Sequence, residues 1–128
     1  MKEIFAVIRM AKVNQTKQAL EKAGFPAFTC RKVLGRGNGI STEVVEKGNS
    51  IAELPKSPLG EHITENFRLI PKRYFTLVVK DDDVDTIVKT IMEVNCTSNH
   101  GDGKIFIMPI LEAYRVRDGK QQNDSESF

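Results

Sequence analysis

A glycine turn and a few basic residues form the best candidate in this chain for holding an anion. Gly101-Asp102-Gly103-Lys104 precedes an apolar run, Ile105-Phe106-Ile107. Glycines let backbone N–H groups approach and wrap an anion, and a lysine beside them adds a point charge. Arg115 and Arg117 follow at i, i+2 spacing. On an extended strand that spacing puts both guanidinium groups on one face. If that strand lies near the Lys104 strand, three cations gather beside one glycine turn, and Lys72 adds another. Such a cluster suits a triphosphate. The same residues also read as an ordinary Asp-Gly turn with a solvated basic face. The residue types alone leave both readings open.

Catalysis has less to stand on. His62 and His100 have no matched nucleophile, and Glu43, Glu46, Glu53, Glu61 and Glu65 are spread through a segment with no visible rigid scaffold. General acid–base work needs groups held in place, so no catalytic residues are expected. No G-x-x-x-x-G-K-[ST] motif occurs, which excludes a Walker-type phosphate loop. The two cysteines, Cys30 and Cys96, lack the paired spacing of a zinc site and the density of a secreted scaffold. No metal site is expected from them.

The elements that must position the candidate cluster follow from hydrophobic periodicity. Ile4 to Ile8 is an apolar, β-branched run. Asn14 is a candidate N-cap, and Thr16, Ala19, Leu20 and Ala23 follow a helical stripe that Gly24 ends. A second strand is expected from about Ala27 to Leu34. The pattern then repeats. Tyr74 to Val79 reads as a strand, and Asp81-Asp82-Asp83 as a cap that also suits the positive end of a helix dipole. Val84, Ile87, Val88, Ile91 and Met92 trace the clearest helix in the chain. Strands are expected at Lys104–Met108 and near Glu112–Arg117.

Two strand–helix–strand units with short helices can cover only one face of a sheet. The expected fold is therefore an α+β, ferredoxin-like double β-α-β sandwich with an antiparallel sheet. The other sheet face stays open unless subunits pack on it, which points to a small closed oligomer. One domain is expected over 1–119. Residues 36–71 are expected to form a mobile arm, with a floppy insertion as the alternative, because structureless links of that length are usually functional or disordered. Residues 120–128 read as a disordered, polar tail.

Bulk composition closes several doors. The chain has 128 residues, 40% of them hydrophobic, with 19 basic against 17 acidic side chains and a net charge of +2. That near balance argues against binding nucleic acid or an anionic membrane by bulk charge. No apolar run approaches the roughly 20 residues that span a bilayer, and the N-terminus lacks a signal-peptide pattern. A cytoplasmic location is expected.

With these residues in place, the chain resembles the PII nitrogen-regulatory signal transducers. The likeness rests on Met1-Lys2-Glu3-Ile4, Ala6-Val7-Ile8-Arg9, Ala19-Leu20-Glu21-Lys22-Ala23-Gly24 and Val33-Leu34-Gly35-Arg36-Gly37. It rests most of all on Gly101-Asp102-Gly103-Lys104-Ile105-Phe106-Ile107 through Ala113-Tyr114-Arg115-Val116-Arg117-Asp118-Gly119. The resemblance implies a trimer-based oligomer with a T-loop projecting from each subunit and ATP or ADP in the cleft between subunits. It carries Thr29, Gly35, Gly37, Val78, Gly101, Asp102, Gly103, Lys104, Arg115 and Arg117 over as nucleotide-binding residues. Arg115 and Arg117 would reach in from the adjacent subunit. Lys72, Gly37, Asn38, Gly39 and Gly101 carry over as the 2-oxoglutarate site.

Two departures matter. Gly39 stands in register with the family's loop glutamine, which leaves magnesium open. No tyrosine lies between Arg36 and Ile70, so uridylylation there is not expected. The long arm and the stretch from Phe25 to Gly37 look closest to the second of two paralogues in the nitrogenase-associated branch. The implied function is sensing nitrogen status and inhibiting dinitrogenase by contact through the T-loop, with the paralogous subunit and self as partners in a trimer or hexamer. The alternatives are a PII protein acting on an ammonium transporter or a nitrogen-assimilation enzyme, and a small phosphohydrolase on the same fold.

Overall fold

In the computed structural model, which describes residues 1–37 and 69–123, strand β1 spans Lys2–Arg9 and alternates strictly between faces. Ile4, Ala6 and Ile8 are buried, while the odd-numbered residues face the other way. A 3-10 turn, Met10–Lys12, leads into helix α1, Val13–Lys22. Strands β2, Thr29–Gly35, and β3, Ile70–Val79, come next. A second 3-10 turn, Asp81–Asp83, precedes helix α2, Val84–Asn95. Strand β4, Gly103–Pro109, completes the sheet, and two short strands, β5 at Ala113–Tyr114 and β6 at Gln121–Gln122, follow.

The main sheet has the order β2-β3-β1-β4. Every neighbouring pair in it is antiparallel. This is the ferredoxin-like arrangement the periodicity predicts. Each strand–helix–strand unit leaves a gap of one strand, and the other unit fills it. Among the described residues, no helix is long and apolar enough to cross a membrane.

The core lies between the sheet and the two helices. Ile4, Ala6, Ile8, Phe75, Leu77 and Val79 from the central strands meet Val13 and Leu20 of α1 and Val84, Ile87 and Ile91 of α2. One polar contact joins the helices inside this layer. The Asn95 amide nitrogen donates to Thr16 Oγ1 at 3.0 Å and to the Ile91 carbonyl at 2.9 Å. Thr16 is fully buried. A buried hydrogen bond of this kind fixes how the helices sit along one another better than apolar packing does, because leaving either partner unpaired is costly.

The opposite sheet face carries an aromatic ladder. Phe106 on β4 stacks on Phe5 of β1 with centroids 4.6 Å apart, and Phe5 stacks on Tyr74 of β3 at 5.3 Å. Arg31 of β2 lies over the Tyr74 ring at 4.7 Å. The ladder crosses all strands of the sheet.

Several local expectations are corrected. Asn14 lies inside α1, and neither helix has a side-chain cap; the 3-10 turns supply the entry instead. Asp81 pairs with the Met1 ammonium at 2.8 Å rather than capping α2. Met92 is 54% exposed and leaves the buried stripe. β3 starts at Ile70, so Ile70 and Pro71 belong to the sheet and not to the arm, whose expected span was 36–71. Pairing with β2 extends the strand beyond the apolar run that marks it in sequence. β5 ends at Tyr114, well short of Arg117. Gln121 and Gln122 pair with Tyr114 and Ala113, so the expected tail, 120–128, begins with ordered chain. The rest of that tail and most of the arm lie outside the described residues.

Candidate functional site

Residues from three parts of the chain meet at one end of the β1–β3 pair. Arg9 ends β1, and the register sets Lys72 of β3 directly opposite it. Both residues fall on the ladder face of the sheet, because that face takes every second position. The turn between α2 and β4 runs over this end. Lys72 Nζ donates to the Gly101 carbonyl at 2.6 Å, and Arg9 Nε donates to the same oxygen at 3.2 Å. Arg9 Nη2 also donates to the His100 carbonyl at 2.7 Å and lies 3.3 Å from Asp102 Oδ1.

Asp102 ties the turn to itself. Its carboxylate accepts from the Thr97 backbone N–H at 2.7 Å and from the Thr97 hydroxyl. Those hydrogen bonds, the hydroxyl's first and then the amide's, hold its carboxyl below the usual carboxylate range, with Arg9 adding to the effect. Lys72 is lowered from the ordinary lysine value, first by burial and then by the neighbouring Arg9 charge, while Asp102 pulls it back up. A partly desolvated ammonium beside a second cation gains more than a surface lysine does from meeting an anion.

The glycines have separate reasons. At Gly103, φ is +123°, and an added Cβ would sit 1.9 Å from the Val7 carbonyl oxygen. No side chain fits where the turn enters the sheet. At Gly101, φ is +91°, and an added Cβ would lie 3.5 Å from Arg9 Nη2 and 3.6 Å from Lys72 Nζ. The bare backbone leaves room beside the two cations. Among the described residues, no group of three His, Cys, Asp or Glu is placed to hold a metal.

The family model for nitrogen regulatory protein P-II matches residues 1–120. The chain belongs to the P-II family. It is 39% identical over 128 residues to nitrogen fixation nifHD region GlnB-like protein 2 of Methanothermobacter marburgensis, covering 98% of this chain and 99% of that protein. It is 44% identical over 119 residues to the protein of the same name from Methanococcus maripaludis, covering 91% and 93%. It is also 38% identical over 120 residues to nifHD region GlnB-like protein 1 of Methanothermococcus thermolithotrophicus, covering 94% and 97%. P-II proteins are signal-transduction regulators and not enzymes, which sets the phosphohydrolase alternative aside. The family is one of nitrogen regulatory proteins, and these relatives are named for the nitrogen-fixation nifHD region.

The P-II fold gathers part of the sequence-predicted site. Lys72, Gly101, Asp102 and Gly103 come together, and Lys104 follows on β4 opposite Val7. Val78 lies on β3 opposite Glu3, on the ladder face. Thr29 opens β2 and is exposed; Gly35 ends that strand, and Gly37 lies just beyond it. Asn38 and Gly39 lie outside the described residues.

Arg115 and Arg117 are not brought to the glycine turn within this chain. β5 pairs with β6 rather than with β4, and Arg117 sits in the turn that joins them. The hydrogen bonds of Arg115 go to Asp118, Gly119 and Lys120 of its own hairpin and not to residues 101–104. The strand-face argument for this pair fails, because β5 stops before either arginine.

Arg9 is the residue that sequence reasoning missed. A signal was present: it lies two positions beyond Val7, in phase with Phe5 and Val7. The apolar run, Ile4 to Ile8, stops short of it, although its phase places it on the same face as Phe5 and Val7.

Proposed function

We propose that this P-II protein senses nitrogen status by binding ATP or ADP together with 2-oxoglutarate. It acts in the cytoplasm, inhibiting dinitrogenase by direct contact through the T-loop segment between β2 and β3. The observation that carries this reading is the convergence of Lys72 and Arg9 on the Gly101 carbonyl, beside the strand ends from which that segment leaves the sheet. In this reading, 2-oxoglutarate presents a carboxylate to Lys72 and contacts Gly37, Asn38, Gly39 and Gly101. The nucleotide takes Thr29, Gly35, Gly37, Val78 and Gly101 through Lys104, with Arg115 and Arg117 supplied by a neighbouring subunit. Supply from a neighbour fits the separation of the hairpin from the glycine turn within one chain. The subunits form a trimer through the ladder face, alone or with a paralogous chain in a larger assembly.

Ligands can move the T-loop segment only through different affinities for its two arrangements. 2-Oxoglutarate with ATP favours the arrangement that releases dinitrogenase. Lys104→Ala should weaken ATP binding about tenfold by calorimetry, as the loss of one charge-assisted phosphate contact implies. Unchanged affinity would sink the nucleotide assignment. Mixing the protein and its paralogue with dinitrogenase, then adding ATP with and without 2-oxoglutarate, tests the switch. Complex formation that ignores both ligands defeats it, and capture of an ammonium transporter in place of dinitrogenase redirects it.

A further inference from the structure

Three cations assigned above to phosphate differ in one respect. The side chains of Lys104 and Arg117 make no hydrogen bond or ion pair with any described residue. Arg115 is already bound by an anion of its own chain. Asp118 takes its guanidinium edge-on, accepting from Arg115 Nε at 3.0 Å through Oδ1 and from Nη2 at 2.8 Å through Oδ2. This two-pronged geometry is the one a phosphate would adopt on the same edge. The pair is only partly exposed, at 33% and 30% of the two side chains.

The β5–β6 hairpin enforces the contact. The Arg115 N–H donates to the Lys120 carbonyl at 2.8 Å, and the Gly119 N–H returns to the Arg115 carbonyl at 2.8 Å. Gly119, with φ at +67°, lets the chain turn back. Asp118 Oδ1 also accepts from the Lys120 N–H at 3.2 Å. The Arg115 contact, first among its causes, holds the Asp118 carboxyl below the usual carboxylate range. A carboxyl held that low is charged at neutral pH.

We propose that Asp118 is a built-in counter-anion that tunes the nucleotide site by occupying the phosphate-binding edge of Arg115. An incoming polyphosphate must either use the remaining Nη1 side of a neutralised arginine or displace the carboxylate against its hairpin restraints. Either route lowers affinity relative to a free arginine, and it leaves Lys104 and Arg117 as the cations that set the salt dependence. This rests on the reading of Arg115 as a phosphate ligand.

The test is calorimetric titration of ATP into the full chain at low and high salt, using the wild type, Asp118→Asn, Asp118→Ser, Arg115→Ala and the Arg115→Ala/Asp118→Asn double variant. Removing the counter-charge should tighten ATP by about three- to fivefold at low salt, the size of one exposed ion pair. The gain should shrink at high salt and disappear in the double variant. Asn keeps an acceptor for the Lys120 N–H, and Ser checks that the effect is of charge rather than shape. Unchanged or weakened binding in both Asp118 variants, with Arg115→Ala still weaker than the wild type, overturns the counter-anion role alone. If Arg115→Ala binds ATP like the wild type, the phosphate role of Arg115 falls, and this proposal with it.

Discussion

At the residue scale, the glycine turn is governed by two constraints of different kinds. Gly103 is fixed by contact: its missing Cβ would overlap the Val7 carbonyl. Gly103→Ala should destabilise the fold by about 3 kcal/mol or more, since it adds a backbone clash to an unfavourable φ. Gly35→Ala meets nothing within 4 Å and should change stability by no more than about 0.5 kcal/mol. Urea denaturation of the two variants measures the difference, and equal costs would contradict the packing described for Gly103.

Asp102 is fixed by charge. Its folded pKa lies below the 3.8 of a free carboxyl. A depressed carboxyl contributes stability that is fully present above the unfolded pKa and is lost as pH falls through the folded one. The Thr97 contacts should therefore open below about pH 3.8, read as a shift of the Thr97 amide signal in NMR. Asp102→Asn should abolish that pH response. A wild-type signal that stays put until global unfolding would contradict it.

At the element scale, the two helices are clamped to the sheet by apolar side chains and to each other by Thr16 and Asn95. Asn95 Oδ1 has no partner in this layer, so the pair has no spare hydrogen bond. Thr16→Val keeps the volume but removes the acceptor for the Asn95 amide. It should cost about 1–3 kcal/mol, the penalty for an unpaired buried donor, measured by chemical denaturation. Thr16→Ser, which keeps the hydroxyl, should cost less. A reversed order would show that the methyl, not the hydrogen bond, holds the helices. The element boundaries belong to this scale too. β3 reaches back to Ile70 because Leu34 and Gly35 of β2 are there to pair with Pro71 and Ile70. No local apolar pattern marks those positions.

At the scale of the whole molecule, the helices cover one sheet face and leave the other to the Phe106–Phe5–Tyr74 ladder. Phe106 is 44% exposed and Met108, on the same face, 39%. Apolar sheet of this kind is normally covered by another subunit. If the proposed trimer uses this face, Phe5→Glu should lower the mass in sedimentation to that of one chain, because it buries a charge without a partner. A variant that keeps the oligomeric mass places the interface elsewhere.

Much of this protein was legible in its sequence. The strict alternation from Ile4 to Ile8 and the stripe of Val84, Ile87 and Ile91 mark their elements, because periodicity reports directly which side of a strand or helix is buried. The repeat of that pattern gives the fold class, and the long shared stretches from Gly101 to Gly119 identify the P-II family. Local sequence is silent on which strands lie side by side. That pairing sets Arg9 opposite Lys72 and brings both to Gly101, although the three are far apart in the chain. It also separates Arg115 and Arg117 from the glycine turn, because β5 found β6 instead of β4. The anion cluster was visible as a list of residue types. Its membership was decided by register, a property of pairs of strands that neither strand carries alone.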